Sequence, residues 1–491
     1  MLYFVVGEKI VTTRKITKVL IANRGEIALR IIRACKELEI KSVCVFSTID
    51  ANGVWVRKAD ESYLLKGDPI EAYLDYKNIV ALAQEIGADA IHPGYGFLSE
   101  NADFAQYCID HDIIFIGPKP EHIALFGDKM ASKIAMKAVG VPVLGGTDEP
   151  ILQIDAAIKV AREIGFPVII KAAFGGGGRG MRIVKKEEEF AAMFEAATKE
   201  AERFFGRGDA FIEKYVQNPR HIEVQIMADK FGNVIHLGER DCSIQRRHQK
   251  VVEIAPSPRL NPRVRNELLR ASKKAMFKLG YESVGTVEYL VDEDDNFFFI
   301  EMNTRVQVEH TITEAITGID IVQSMIHIAE GEQLPTMQED IKFRGFAIEC
   351  RINAEDPKNG FIPSSGRITT YLSPGGPGVR LDAIGFKDYV VPTNYDSMIG
   401  KLTVVGIDWD GVVRKARRAL DEFIISGIPT NIPLHRQIVR DEDFKQGIFN
   451  TTYLDKKLPT FTLDAIHDIE DDEIRSEHIA AIVAALKTQG K

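Results

Sequence analysis

The sequence predicts a mixed protein, α/β at its amino end and α+β beyond, and three observations carry that expectation. Strand-like and helix-like segments alternate over about 120 residues near the start, the pattern of a doubly wound domain. Four consecutive glycines, Gly175 to Gly178, lie between two apolar strand-like runs rather than in front of a helix. From about residue 211 to 303 the texture turns to strands whose internal alternation suits a large antiparallel sheet.

Residues 18–22 (KVLIA) form the first apolar run, followed by NRGE, an amphipathic stretch from Ile27 to Leu38 and a second run from Ser42 to Phe46. That is a β-α-β unit whose loop sits at the carboxyl end of its first strand, where open parallel sheets bind ligands. A helix at 77–86, the segment AIHPGYGF at 90–97, a helix at 100–110 and a strand at 113–116 continue the pattern. The first turn lacks GxGxxG, which disfavours a plain dehydrogenase. A helix is expected at 129–139 and another at 153–164, leading into the strand Pro167 to Ala172, the glycine loop and the strand Met181 to Val184. FIEKYV, HIEVQIMAD, VIHLGERDC, GTVEYLVD and NFFFIEMN are the strands of the next region. Residues 312–329 return to helix, and from 345 to about 455 come more strands with a helix at 411–425. The segment after Pro459 is acidic, carries a candidate helix from Glu477 to Leu486 and reads as an appendage.

The 491 residues suit about three domains at roughly 150 residues each. A chain 45% hydrophobic and 27% charged is ordinary globular material, which excludes a disordered or collagen-like protein. Sixty-two basic against 71 acidic residues give a charge of −9, so no nucleic-acid partner is expected. Five cysteines without a CxxC pair read as reduced thiols. No apolar stretch reaches the roughly 18 residues of a membrane span and no signal peptide is recognisable, so a cytoplasmic protein is expected.

GGGGRG at 175–180 leaves backbone N–H groups free to wrap an anion, and no GxxxxGK[ST] competes with it. The loop suits either a flap over nucleotide phosphates or a hairpin tip. Lys171 ends the strand entering it, in an otherwise apolar PVIIKAA. A lysine there needs an anion or must reach for solvent, and with the glycines it favours phosphate. Glu288 in GTVEYL and Glu301 in FFFIEMN stand on strands of matching texture, and Asn303 shares the face of Glu301. Two carboxylates and an amide are the hard oxygen donors magnesium takes beside phosphates, although paired charges on a wet sheet face would look alike. Arg305, Gln307 and Glu309 continue the alternation through NTRVQVEH, offering a two-pronged donor and a base to a small planar oxyanion. The run Gln245 to Lys250 (QRRHQK) is cationic and by itself reads as a solvated turn.

ANRGEIALRIIRACKEL, AIHPGYGFLSEN, GDK, IIKAAFGGGGRGMR, EKYV, PRHIEVQI, ERDCSIQRRHQK, FIEMNTRVQVEH, ECRINAEDP and YDSMIGK together resemble the biotin carboxylase family, a branch of the ATP-grasp enzymes. The resemblance runs in the family's order over roughly residues 16–456. It implies a doubly wound domain at 16–128, an ATP-grasp domain at 129–335 whose mobile glycine-rich lid covers about 140–210, a biotin carboxylase C-terminal domain at 345–456 and an appended tail at 457–491. It implies that Lys129 and Lys171 hold ATP phosphates beneath Gly177 and Gly178, and that Glu213, Lys214, Tyr215 and Val216 line the adenine pocket. His221 would contact the ribose and His248 lie at the phosphate end. Glu288, Glu301 and Asn303 would hold magnesium or manganese, two ions in all. Lys250, Arg305, Gln307 and Val308 would bind bicarbonate with Glu309 as its base, and Arg351 would face biotin. The residues alone give no role to Lys129, which looks like a helix-start lysine, or to Arg351, which looks like a surface strand residue.

The implied activity is ATP- and bicarbonate-dependent carboxylation of biotin through carboxyphosphate. The only AMK run, Ala135-Met136-Lys137, lies in an expected helix, so the biotin is expected on a separate carrier protein or subunit. The further expected partner is a carboxyltransferase subunit, and the expected assembly is a homodimer. Acetyl-CoA, pyruvate and 2-oxoglutarate carboxylases share this half-reaction, and the motifs do not choose among them. Two rival readings stand beside it. An ATP-grasp ligase joining a carboxylate to an amine fits the flap and the metal carboxylates but not RVQVE or CRINAEDP. A silent scaffold subunit fits poorly, because every motif position carries a functional residue type.

Overall fold

The computed structural model describes residues 2–6, 9–147, 149–172, 181–205 and 209–463. Ahead of the first expected strand, β1 (Leu2–Val6) and β2 (Lys9–Thr13) pair as an antiparallel hairpin that the sequence reading did not foresee. The doubly wound region then forms as expected. Its five parallel strands are β3 (Lys18–Ile21), β4 (Lys41–Phe46), β5 (Glu61–Leu64), β6 (Ala90–His92) and β7 (Ile114–Phe115), in the order β5-β4-β3-β6-β7. The chain winds one way from β3 and the other way from β6, so the switch point lies between their carboxyl ends. Asn23, after β3, donates from Nδ2 to the carbonyls of Pro93 and Tyr95 (2.7 and 2.8 Å) after β6 and joins the two loops. Gly94 makes that approach possible: its φ is +65°, and a Cβ there would sit 2.9 Å from the Asn23 amide nitrogen.

The glycine loop itself, with Gly177 and Gly178, lies outside the described residues. Its flanking strands β8 (Val168–Ala172) and β9 (Met181–Val184) pair antiparallel, and β10 (Ala210–Lys214) adds to β8 on the other side. FIEKYV therefore belongs to this small three-stranded sheet and not to the large one expected. A helix at Glu187–Phe205, absent from the sequence reading, packs Phe190 and Phe194 against Val168, Ile170 and Ile212.

The large antiparallel sheet has eight strands. From one edge run β15 (Phe297–Asn303), β14 (Ser283–Val291), β11 (Arg220–Ala228), β12 (Val234–Arg246), β13 (Gln249–Ala255) and β16 (Phe346–Asn353), followed by the strands Met398–Gly406 and Val379–Ala383. The sheet thus runs without a break past the boundary expected between 335 and 345, through the β13–β16 pairing. That continuity sets Arg351 beside the strand that bears Lys250. A helix at Pro262–Lys278, also missed, buries Val264, Leu268 and Met276 against β11 and β14. The helix expected at 312–329 is two helices, His310–Thr317 and Ile321–Glu330, separated where Gly318 takes φ +75°. Trp409–Glu422 is the helix expected at 411–425. The candidate helix 477–486 lies outside the described residues.

Candidate active site

One face of the large sheet carries a cluster of buried charge. On β11, the alternation of HIEVQ sends His221, Glu223 and Gln225 to the same face. Glu223 stands opposite Glu288 of β14 and Arg240 of β12, and Glu288 stands opposite Glu301 of β15. Lys250, near the start of β13, donates its ammonium to Glu223, to Glu288 Oε1 (3.1 Å) and to Glu309 Oε1 (2.8 Å). Arg351 of β16 donates to Glu253 of β13 and, from Nη2, to Glu309 Oε2 at 3.0 Å. Glu309 is thus held by a cation on each oxygen.

The expected alternation through Arg305, Gln307 and Glu309 is not a strand. β15 ends at Asn303 and the chain bends through Thr304 to Glu309 before the helix at His310. The bend still delivers two of the three side chains inward. Gln307 donates to Glu288 Oε1 at 2.7 Å and accepts from Arg240. Arg305 instead turns to Asn303 Oδ1 (2.7 Å) and to Glu100 Oε2 (2.9 Å) of the doubly wound region. Val308 sits between them at the turn, half-buried.

Charge separation follows from this packing. Burial alone would raise the Glu309 and Glu288 carboxyls, but Lys250 outweighs it and holds both below the usual range, helped by Arg351 at Glu309 and by His221 at Glu288. The same balance lowers Glu223 to about 2. Burial would lower His221, yet Glu288 and Glu223 raise it to about 9. Lys250 is pushed well above its ordinary value for the same reason.

Glu288 and Glu301 suit a divalent cation. Burial and then the facing Glu288 charge push the Glu301 carboxyl up, which is the strain a cation between them would relieve. Asn303, the third donor expected, turns its Nδ2 to Glu288 Oε1 at 2.7 Å and its oxygen to Arg305 Nη2 at 2.7 Å. His221 Nε2 lies 2.7 Å from Glu288 Oε2.

The residues expected to hold the nucleotide make contacts of their own in this structure. Lys171 is not left facing an open anion site: it and Lys133 both donate to the Glu213 carboxylate, which they hold low against burial. Lys214 donates to the carbonyls of Gly165 (2.9 Å) and Phe166 (3.3 Å). The Tyr215 amide bonds the Pro167 carbonyl, and Val216 follows, half-buried. Lys129 is exposed at the first turn of the helix Lys129–Ala138, just after the capping Asp128. His248 occupies the two-residue turn between β12 and β13, with φ +65°, exposed at the hairpin tip.

Sequence reasoning missed Glu223, Arg240 and Glu253, all fully buried. The spacing-two rule applied to NTRVQVEH would have found Glu223, since HIEVQ has the same texture. Glu253 stands opposite Glu349 across β13 and β16. Burial is the first cause that lifts both, Glu253 to about 8 against the opposing charge of Arg351 and Glu349 to about 7 against that of Lys401 and, less, Arg351. The folded chain therefore holds protons here that the unfolded chain releases near pH 4.3. That contribution to stability is complete below the unfolded pKa and is lost as pH rises through about 7 to 8. Glu349→Gln should flatten the decline of the thermal midpoint between about pH 4.5 and 7; unchanged slopes in a melting series would disprove the assignment.

The class defined by this fold and site is the ATP-grasp ligases: a small three-stranded antiparallel sheet is followed in the chain by a larger antiparallel sheet that carries buried carboxylates around Lys250. Residues 15–123 match the biotin carboxylase N-terminal domain, 128–337 the ATP-binding domain of the carbamoyl-phosphate synthase L chain, and 349–456 the biotin carboxylase C-terminal domain. The chain belongs to the biotin carboxylase family. It is 51% identical over 442 residues to the biotin carboxylase of Nostoc sp., covering 90% of this chain and 99% of that one. It is 52% identical over 454 residues to the 2-oxoglutarate carboxylase small subunit of Hydrogenobacter thermophilus, covering 92% and 96%. The crystal structure of the biotin carboxylase domain dimer of Hydrogenobacter thermophilus 2-oxoglutarate carboxylase, with magnesium ADP, ADP and bicarbonate, superposes with a TM-score of 0.86 at 51% identity, over 92% of this chain and 100% of that one. Among the described residues no helix is long and apolar enough to cross a membrane.

Proposed function

We propose that the chain performs the first half-reaction of a biotin-dependent carboxylase, with the residues above in specific roles. The observation that carries this is the Glu309 carboxylate, buried, ionised and gripped by Lys250 at 2.8 Å and Arg351 at 3.0 Å. A base between two cations suits an oxyanion that must lose a proton and then carry more negative charge.

Bicarbonate lies against Lys250, Arg305, Gln307 and the Val308 backbone, and Glu309 removes its proton. The carbonate oxygen attacks the γ-phosphorus of ATP, the bond to the bridging oxygen breaks, and ADP leaves with carboxyphosphate formed. Lys129 and Lys171 hold the phosphates, Lys171 exchanging its Glu213 partner for them, while Glu213, Lys214, Tyr215 and Val216 flank the adenine, His221 the ribose and His248 the phosphate end. Magnesium or manganese, held by Glu288, Glu301 and Asn303, neutralises phosphate charge when bound. Positioning and charge neutralisation supply most of the rate, since phosphoryl transfer needs little covalent help. Carboxyphosphate splits into carbon dioxide and phosphate. The phosphate takes the ureido proton of biotin, whose nitrogen then attacks carbon dioxide, and Arg351 steadies the charge that develops on the ureido oxygen. Gly177 and Gly178 close over the phosphates and keep water from carboxyphosphate.

The biotin rides on a separate carrier chain, the second partner is a carboxyltransferase subunit, the assembly is a homodimer and the cytoplasm is its place. The relative from Hydrogenobacter is named as a small subunit, the structural neighbour is a dimer, and the Ala135-Met136-Lys137 run is helical with Met136 buried. The domain limits follow the same reading: 16–128, 129–335 with its lid, 345–456 and the tail.

The test is ADP release by the purified chain with magnesium ATP, measured with and without bicarbonate and with free biotin. Bicarbonate-dependent release that rises with biotin supports the proposal. Release that ignores bicarbonate but responds to an amine acceptor would favour the rival ligase.

A further inference from the structure

The motifs ANRGE, HPGYG and YDSMIGK have so far been given no chemistry, yet the fold brings one residue of each to a single point. Lys401 lies on the strand Met398–Gly406 and has no solvent exposure. Its Nζ donates to the backbone carbonyl of Val308 at 2.5 Å and lies 3.2 Å from Glu26 Oε1, at the start of the helix that follows β3. Tyr95, in the loop after β6, donates its hydroxyl to the same Glu26 oxygen, and the ammonium lies 5.7 Å from the centre of its ring. Glu26 Oε2 is buried without a hydrogen-bond partner. Burying an ammonium and a carboxylate is unfavourable relative to packing apolar groups, so such a pair argues for a task other than stability.

The register supplies the task. Lys401 stands directly opposite Arg351 across the two paired strands. The two cations reach adjacent residues of one turn: Arg351 takes the Glu309 carboxylate at 3.0 Å and Lys401 takes the Val308 carbonyl. We propose that Lys401, seated on Glu26, is a positioning residue that fixes the Val308–Glu309 peptide and so the orientation in which this turn presents its donor and its base to bicarbonate. This rests on the bicarbonate site argued above and adds to it a residue from outside that site, held by the switch point of the doubly wound region. Lys401 touches no reacting atom. It acts through the peptide plane, and small misplacements of such a plane carry large rate penalties.

Two variants test this by bicarbonate-dependent ADP release. Lys401→Met should raise the KM for bicarbonate about tenfold and lower kcat, with the KM for ATP within about twofold of the parent. Because that change leaves Glu26 buried without a cation, the double variant Glu26→Gln with Lys401→Met removes both charges together. The double variant should recover the thermal midpoint of the parent and keep the bicarbonate defect. If it folds with the parent's bicarbonate KM, Lys401 only neutralises Glu26 and the proposal fails. It fails equally if the two KM values rise together, or if the double variant does not fold, since Lys401 is then structural. A parent enzyme with no bicarbonate-dependent ADP release would instead overturn the functional reading, which keeps the two failures apart.

Discussion

Glu309→Gln should abolish ATP cleavage, lowering bicarbonate-dependent ADP release by about a hundred- to ten-thousandfold, the usual worth of a positioned base. The amide matches the carboxylate in size but cannot accept the proton of bicarbonate, so no nucleophile forms and no later step occurs. The same substitution is mild for the fold. Lys250 keeps Glu223 and Glu288, and Arg351 keeps Glu253, so neither cation is left buried without a partner. The thermal midpoint should therefore move little while activity disappears. Retention of bicarbonate-dependent ADP release within about tenfold of the parent would remove Glu309 from the role of base.

What could be read in the sequence was what chain-local pattern encodes. The β-α-β unit at 18–46 was legible because apolar period and loop position agree, and β3, the following helix and β4 form within two residues of their expected limits. Glu288 and Glu301 were legible because their strands share one texture and Glu301 follows four apolar residues, and they stand face to face. The helix Pro262–Lys278 was missed because its sequence is rich in arginine and lysine and sits among strands, so its narrow apolar stripe was overlooked. The bend from Thr304 to Glu309 was read as strand because spacing two arises as well from a turn that packs alternate side chains inward. The partnerships were the least legible part. Glu253 with Arg351, and Lys401 with Glu26, depend on strands and loops up to several hundred residues apart, and only the register of the eight-stranded sheet and its packing on the first domain bring them together. The resemblance supplied Arg351 as a residue, but not the carboxylate that holds it. It also did not reveal that Lys171 and Glu213, given separate duties, rest against each other.

Arg351→Ser should separate the two halves of the reaction. The arginine holds Glu309 Oε2 at 3.0 Å, but Glu309 keeps Lys250 at 2.8 Å on its other oxygen, so the base remains ionised and bicarbonate can still be activated. Glu253 loses its partner, yet its carboxyl is already pushed up to about 8 by burial, so the loss is met by protonation and the fold is preserved. What cannot be replaced, on the function proposed, is the guanidinium that would face the ureido oxygen of biotin, where negative charge would develop as the nitrogen is deprotonated. Removing one such preorganised donor costs about a hundred- to a thousandfold. ADP release should therefore persist at a reduced, still bicarbonate-dependent level, while carboxybiotin formation falls by that larger factor. The measurement is both products followed side by side in the same reaction, with free biotin as acceptor. Equal loss of ADP and carboxybiotin would put Arg351 with the ATP chemistry, as a support of Glu309 and not as the residue that faces biotin.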